Sequence, residues 1–337
     1  MIQGVREFRL LSEFRTRLAL DLNDLVVATE AGSGPFLYSS LAAALAGARK
    51  VIAVAPDSVY ATHQEISKKI NNLASAWGVA SNCISVVSSR EEIPAGIDIF
   101  LNLGFIRPLD ASLLAKGSLN AVVSYMCEAW EYRPGDLDLQ FCRELSIPVA
   151  GVNEDYQGFG VFESCGQLAL KLLFEAGVEV AGCKIGLLSD DPFGDVIEIA
   201  LLANSSQVFR VKSASELSFE HASHLDALVV ASYSDSDDVL KELGFSFESL
   251  VATNPAIKII QFSGAVDVEA VVAAGLDIYP AARLQPYRMS KTLSYLGVRP
   301  VLALHSLGLK VAQLLYQERR GTPIPLSFND LIQKMID

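Results

Sequence analysis

Two short turns hold residues that could do chemistry. One is EAGSGPFLYSS, Glu30–Ser40, and the other is LLSDDPFGDV, Leu187–Val196. Each follows an apolar run and leads into residues of helical spacing. At such a turn the first helical N–H groups are unpaired and the dipole is positive, so an anion fits. Glycine lets a phosphate approach the backbone there, because no Cβ intervenes. The first turn offers Gly32, Ser33 and Gly34 with no carboxylate among them. Asp57 follows the next apolar run, about where an acid would meet a ribose.

The second turn departs from that chemistry. Ser189 and Asp191 stand at the first two glycine places of a G-x-G-x-x-G turn, Asp190 lies between them, and only Gly194 remains. Asp191 precedes Pro192 and reads as a helix N-cap, worth about 1 kcal/mol. The same carboxylate stands where a diphosphate would sit. One unit-charge repulsion at about 4 Å is worth about 4 kcal/mol at an effective dielectric near about 20, roughly a thousandfold in affinity. Two readings stand: Asp190 and Asp191 cap a helix, or they hold a ligand amine, hydroxyl or cation. Arg210 and Lys212 occupy the region where a ribose-binding acid would fall. Arg210 suits a 2′-phosphate, yet the turn would still repel the diphosphate. An ordinary NAD pose is therefore not expected.

Other side chains offer a functional and a structural reading each. His305 closes the apolar run PVLALH, either as an acid–base group at a strand end or as a capping or interdomain histidine. In MCEAWEYRPGDLDL (Met126–Leu139), Glu128 and Trp130 line a cleft or pack a loop. Cys127 has an acid beside it in sequence and lacks the positive neighbours that activate a thiol. RLQPYRMSK (Arg283–Lys291) is a basic patch that holds an anion or is a solvated loop. His221 and His224 share an H-x-x-H spacing without an evident third ligand, so no metal site is expected. No Ser-His-Asp, Walker or H-E-x-x-H pattern occurs.

These residues need a scaffold, and the chain is long enough for two domains: 337 residues, 51% hydrophobic. The net charge of −12 disfavours nucleic acid and anionic membranes as partners. No apolar run reaches the roughly 18–20 residues of a membrane helix. The segment MIQGVREFRLLSEFRTRLALDL mixes Arg and Glu at helical spacing and reads as an amphipathic helix, not a signal peptide. Five scattered cysteines indicate a reducing, cytoplasmic setting.

Apolar runs alternate with helical segments. Expected strands are Leu25–Ala31, Lys50–Ala55, Cys83–Ser89, Asp98–Leu103 and Asn120–Met126, then Lys184–Ser189, Gln207–Lys212, Asp226–Tyr233, Lys258–Ser263, Leu276–Pro280 and Pro300–His305. A helix over about 159–176 separates the two series. Pro35 stands 16 residues before Val51 and Pro192 stands 16 before Val208, so each helix should cross its sheet and return to a neighbouring strand. The expected fold class is α/β, with two Rossmann-like, doubly wound domains, parallel sheets and an interdomain cleft.

From Asn120 onward the chain resembles the D-isomer-specific 2-hydroxyacid dehydrogenases and their relatives, including S-adenosylhomocysteine hydrolase. The segments are PGDLDLQFCRELSIPVAGVNED (Pro134–Asp155), AGCKIGLLSDDPFG, GLDIYPAARLQP (Gly275–Pro286) and PVLALHSLG (Pro300–Gly308). The resemblance implies a nested layout: residues 1–155 with 306–337 form one domain, and 156–305 an inserted nucleotide-binding-like domain. It implies a ligand in the cleft; NAD or NADP is a candidate cofactor, and a homodimer is a candidate assembly. His305 matches the family's acid–base place. The substrate-binding arginine place falls on Ser263, and the place of the carboxylate that tunes the histidine falls on Ala282. The first turn separately resembles the first motif of S-adenosylmethionine-dependent methyltransferases, with Asp57 two residues beyond the usual acid.

Three functions are compatible with these residues. One is a small-molecule-binding, oxidoreductase-like protein with altered cofactor use. Another binds S-adenosylmethionine at Gly32–Gly34. The third is a scaffold that kept the fold and lost the reaction, whose function would survive His305→Ala. The candidate residues are His305 for catalysis; Gly32, Ser33, Gly34, Asp57, Ser189, Asp190, Asp191 and Gly194 for a cofactor; and Glu128, Trp130, Ser263 and Arg283 for substrate.

Overall fold

A computed structural model describes residues 4–336. The chain divides into two compact units, Met1–Val161 with Gly297–Asp337, and Phe162–Leu296.

The first unit opens with α1 (Val5–Arg17), the expected amphipathic helix, which buries Leu10, Leu11 and Phe14. There follow β1 (Val26–Glu30), α2 (Tyr38–Leu45), β2 (Lys50–Val54), α3 (His63–Ala76), β3 (Ile84–Val87), β4 (Ile97–Leu101), α4 (Ala111–Leu114), β5 (Gly117–Ser124), α5 (Leu139–Glu144) and β6 (Val149–Val152). Every residue of β1 and β4 is buried. Continuous burial without alternation marks a parallel sheet covered on both faces.

The second unit contains α6 (Glu163–Glu175), β7 (Lys184–Leu188), α7 (Pro192–Ala203), β8 (Gln207–Val211), α8 (Phe219–Ala222), β9 (Ala227–Ala231), α9 (Phe247–Thr253), β10 (Lys258–Ser263), α10 (Val268–Ala273) and β11 (Asp277–Tyr279). The chain then returns to the first unit as α11 (Val298–Arg319) and β12 (Ile332–Ile336).

The sheet of the first unit has the order β12-β6-β5-β4-β1-β2-β3, and that of the second β11-β10-β9-β7-β8. All pairs are parallel except β12 on β6, which is antiparallel. As the equal spacing predicts, α2 returns the chain from β1 to adjacent β2, and α7 returns it from β7 to adjacent β8. The winding reverses between β1 and β4 in the first unit and between β7 and β9 in the second. Ligands of doubly wound folds gather at such a reversal, outside the carboxyl ends of the strands. Val26, Ile97, Phe100, Val123 and Val149 build one core; Val230, Ile257, Ile259, Val266 and Val271 build the other.

One expected strand is a helix. Pro300–His305 lies inside α11 and not at a strand end. A short apolar run has no period of its own. Continued through SLGLKVAQLL it buries residues over several turns. Pro300 is the third helical residue, where its missing N–H breaks no bond. His305 therefore sits within a helix, 1% exposed.

Candidate functional site

In the first unit the reversal between β1 and β4 carries a buried polar group. Glu30 ends β1 at 5% exposure. Its Oε2 accepts a hydrogen bond from the backbone N of Phe105, just beyond β4, at 3.0 Å. A side chain at Gly104 would collide with that oxygen, its Cβ falling 2.5 Å away. Burial raises the Glu30 carboxyl to about 7, against the pull of the Phe105 donor and the Arg107 charge. The β1–β4 register pairs Ala28 with Phe100, which sets Asn102 beside Glu30.

Asn102 is fully buried, and its Oδ1 accepts from Arg107 Nε at 3.2 Å. Its Nδ2 has no partner among the described residues. Arg107 also bonds the Asn102 carbonyl at 2.7 Å and pairs with Asp136 at 3.3 Å.

The glycine turn forms the next wall. Gly32 is packed tight, because a Cβ there would stand 2.8 Å from Phe36 Cβ. Gly34 has φ +57 and open space around it, and a 3-10 turn runs from it to Leu37. Ser33 is the N-cap but makes no side-chain capping bond. Phe36 lies against His305, ring centroids 6.4 Å apart. One turn further along α11, Gly308 leaves room for Met126 and Ser124 at the end of β5. His305 is thus bracketed between the β1 turn and the β5 end. Its Nδ1 has no partner among the described residues, and burial lowers its pKa to about 4. The structure therefore brings His305 and Gly32–Gly34 together, a pairing that sequence order hid.

Asp57 does not join them. Its Oδ1 accepts from the backbone N of His63 at 2.7 Å, at the start of α3. Glu128 is buried and fully engaged: Oε1 takes the backbone N of Glu154 at 2.7 Å, and Oε2 takes Gln333 Nε2. Trp130 is exposed in the same loop. Cys127 is held as a thiol, pushed up to about 12 by burial and the nearby Glu131 charge. Glu154 is also buried, and desolvation with Glu131 and Glu128 nearby drives its carboxyl well above the usual range. Asn102, Arg107 and Glu154 were not foreseen. Their signal was a polar residue at or just past the end of an apolar run.

In the second unit Asp191 caps α7, Oδ1 accepting from the backbone N of Phe193 at 2.9 Å. Its other oxygen, Oδ2, accepts from the backbone N of Tyr233, just beyond β9, at 2.7 Å. One carboxylate thus stitches β7 to β9 at the reversal. Burial raises its pKa despite those two donors. Ser189 is fully buried and Asp190 exposed.

Arg210 folds back onto the turn, its Nη1 pairing with Asp195 at 2.6 Å and Glu198 at 3.3 Å, its Nε donating to the Ser189 carbonyl at 3.2 Å. Its guanidinium fills the space that the missing Cβ of Gly194 leaves. The arginine suited to a 2′-phosphate is taken up within the protein.

The basic segment also packs inward. Tyr287 N donates to the Ser234 carbonyl at 3.0 Å, Gly264 N to the Arg288 carbonyl at 3.1 Å, and Ser290 N to the Phe262 carbonyl at 2.8 Å. Tyr287 meets Tyr233, which meets Phe193, at centroid distances of 5.5 and 6.0 Å. Ser263 is fully buried. Its Oγ, with Gln261 Oε1 and Ser290 Oγ, has no partner among the described residues. Arg283 is exposed, 3.9 Å from Glu269.

No protein-family model matches the chain, and no curated protein matches its sequence. Solved structures do match its shape. A dipicolinate synthase component from Bacillus halodurans aligns with TM-score 0.53 and 12% identity, over 88% of this chain and 99% of that one. Its counterpart from Bacillus subtilis, also a dipicolinate synthase, aligns with TM-score 0.53 and 13% identity, over 90% and 99%. A candidate D-3-phosphoglycerate dehydrogenase from Ralstonia solanacearum aligns with TM-score 0.50 and 11% identity, over 90% and 98%. The chain shares the fold of these proteins, two Rossmann-like α/β units. Among the described residues no helix is long and apolar enough to cross a membrane.

Proposed function

We propose that this chain is a small-molecule-binding protein of dehydrogenase-like build with altered cofactor use, whose ligand sits where β1 and β4 diverge in the first unit. Asn102 Nδ2 and His305 Nδ1, both buried and unpartnered, support that location. They meet a ligand's polar group, with the open backbone at Gly34 beside them. The second unit does not take a nicotinamide dinucleotide in the customary way.

The observation that carries this reading is the Asp191 carboxylate, bonded to Phe193 N and Tyr233 N across the reversal. A diphosphate at that place would lose both donors and face a buried negative charge. The test is titration with NADH, followed by nicotinamide fluorescence. Wild-type protein gives no saturable signal up to millimolar NADH. Micromolar binding that persists in Asp191→Asn and fails in Gly194→Asp would refute the reading.

A second reading places S-adenosylmethionine at Gly32–Gly34, favoured by the open, uncapped turn at Gly34. Calorimetry with S-adenosylhomocysteine on wild type and Gly34→Asp decides it; equal heats from both remove it. A cytoplasmic location belongs to the same proposal, supported by five free cysteines.

A further inference from the structure

The first unit has a second concave site, at the amino edge of its sheet and away from the carboxyl ends where Glu30 and Asn102 lie. A cavity of about 370 Å³ opens between Asp21–Leu25, which leads into β1, and the last turns of α11 with the chain just beyond. That volume is at the small end of the range for ligand pockets.

One buried polar side chain, Gln313, lines it, and Lys310 supports that side chain from behind. Gln313 is 5% exposed and Lys310, three residues earlier on α11, 4%. Gln313 Oε1 accepts from Lys310 Nζ at 3.2 Å and from the backbone N of Asp21 at 3.2 Å. Two donors on the oxygen fix the amide, and its Nε2 end is left without a protein acceptor among the described residues. Lys310 completes its shell with the Ala19 carbonyl at 3.1 Å and the Phe328 ring at 4.6 Å. Burial lowers its pKa to about 8, against the pull of the nearby Asp21 charge.

The rim carries one charge of each sign. Arg320 lies over the Tyr316 ring, 5.8 Å from its centroid. Asp21 accepts from the backbone N of Asn23 at 3.0 Å. Both line the cavity, yet they form no ion pair with each other or with any other described residue. A lone anion entering here would meet Asp21, and a lone cation would meet Arg320. A molecule with both charges satisfies each wall at once.

We propose that this cavity binds a small zwitterion of the α-amino acid class, its carboxylate on Arg320 and Gln313 Nε2 and its ammonium on Asp21. Tyr316 and Leu25 supply the surface for its side chain.

The full chain is melted with each protein L-amino acid at millimolar concentration. Propionate and propylammonium serve as singly charged controls, and calorimetry follows on any amino acid that shifts the transition. At least one amino acid raises the melting temperature, and the two controls do not. Asp21→Asn and Arg320→Gln, both at exposed positions, melt like wild type without ligand and weaken binding by at least about tenfold. The proposal is overturned if no amino acid shifts the melt, if a control shifts it equally, or if both variants bind as tightly as wild type.

Discussion

Replacing Glu30 by Gln isolates the electrostatics of the β1–β4 crevice. Glutamine keeps the shape and an acceptor for Phe105 N, but it cannot ionise. In the wild-type protein, burial raises the Glu30 carboxyl from 4.5 to about 7. The folded chain therefore holds this proton up to about pH 7, whereas the unfolded chain releases it near 4.5. Unfolding between those values releases a proton, so rising pH favours the unfolded chain. The contribution of Glu30 to stability is largest below 4.5, falls through the window to about 7, and is flat above it. At about 1.4 kcal/mol per tenfold, the full swing is about 3 kcal/mol.

The assay is urea unfolding of wild type and Glu30→Gln from about pH 5 to about pH 8, where linear extrapolation resolves such a difference. Both tryptophans, Trp77 and Trp130, belong to the first unit, so their fluorescence reports the relevant transition. Other titrating groups, Glu154 among them, are common to both proteins and cancel in the difference. The stability of the variant relative to wild type should rise by about 3 kcal/mol across that range. A flat difference would mean that Glu30 titrates alike in both states, and the burial argument would fail.

His305 supplies the opposite sign. Its pKa falls from 6.5 to about 4 on folding, so its contribution is present above 6.5 and is lost as pH drops toward 4. His305→Leu should remove about 3 kcal/mol of that acid sensitivity, read from unfolding curves between about pH 4 and about pH 7. Two glycine substitutions separate yielding from unyielding contacts. In Gly308→Ala the new methyl meets the flexible Met126 side chain, and a loss of about 1–3 kcal/mol is expected. In Gly151→Ala it meets backbone at Ala129 N, 2.7 Å, and Cys127 O, 2.8 Å, and the loss should be larger. Equal melting temperatures for these two variants would contradict the packing described for β5 and β6.

The clearest strands in the sequence are those buried on both faces. Val26–Glu30 and Ala227–Ala231 are buried along their whole length and open on apolar residues, and the sheets form from them. Two strands gave no such signal. VAGV (Val149–Val152) is short and carries a glycine that lets the Cys127–Ala129 backbone approach. IQKMI (Ile332–Ile336) is a partly exposed edge strand, joined to β6 by a register that no local pattern encodes. The run at Pro300–His305 failed for another reason: five apolar residues and a histidine suit a buried strand and a buried helix equally, and only the residues beyond them decide.

At the candidate site, local chemistry was legible and distant chemistry was not. Asp191 before Pro192 announced a cap, and the cap is present. Nothing near it announced that its second oxygen reaches Tyr233, 42 residues on, or that Glu30 reaches Phe105, 75 residues on. These two bonds are one device used twice: a carboxylate from the first strand or its turn accepts a backbone N–H from beyond the neighbouring strand. The outcomes differ in what is left over. In the second unit both oxygens of Asp191 are bonded, Arg210 covers the turn, and the unpartnered Gln261, Ser263 and Ser290 atoms belong to β10 and the segment laid on it, a strand away from the reversal. In the first unit Asn102 Nδ2 and His305 Nδ1 remain unpartnered around the crevice itself. A buried donor or acceptor left alone costs about 1–3 kcal/mol, and a ligand or ordered water that meets it recovers that energy. The gain available on binding is therefore concentrated at β1 and β4, which is why the ligand is proposed there and not at the Asp191 turn.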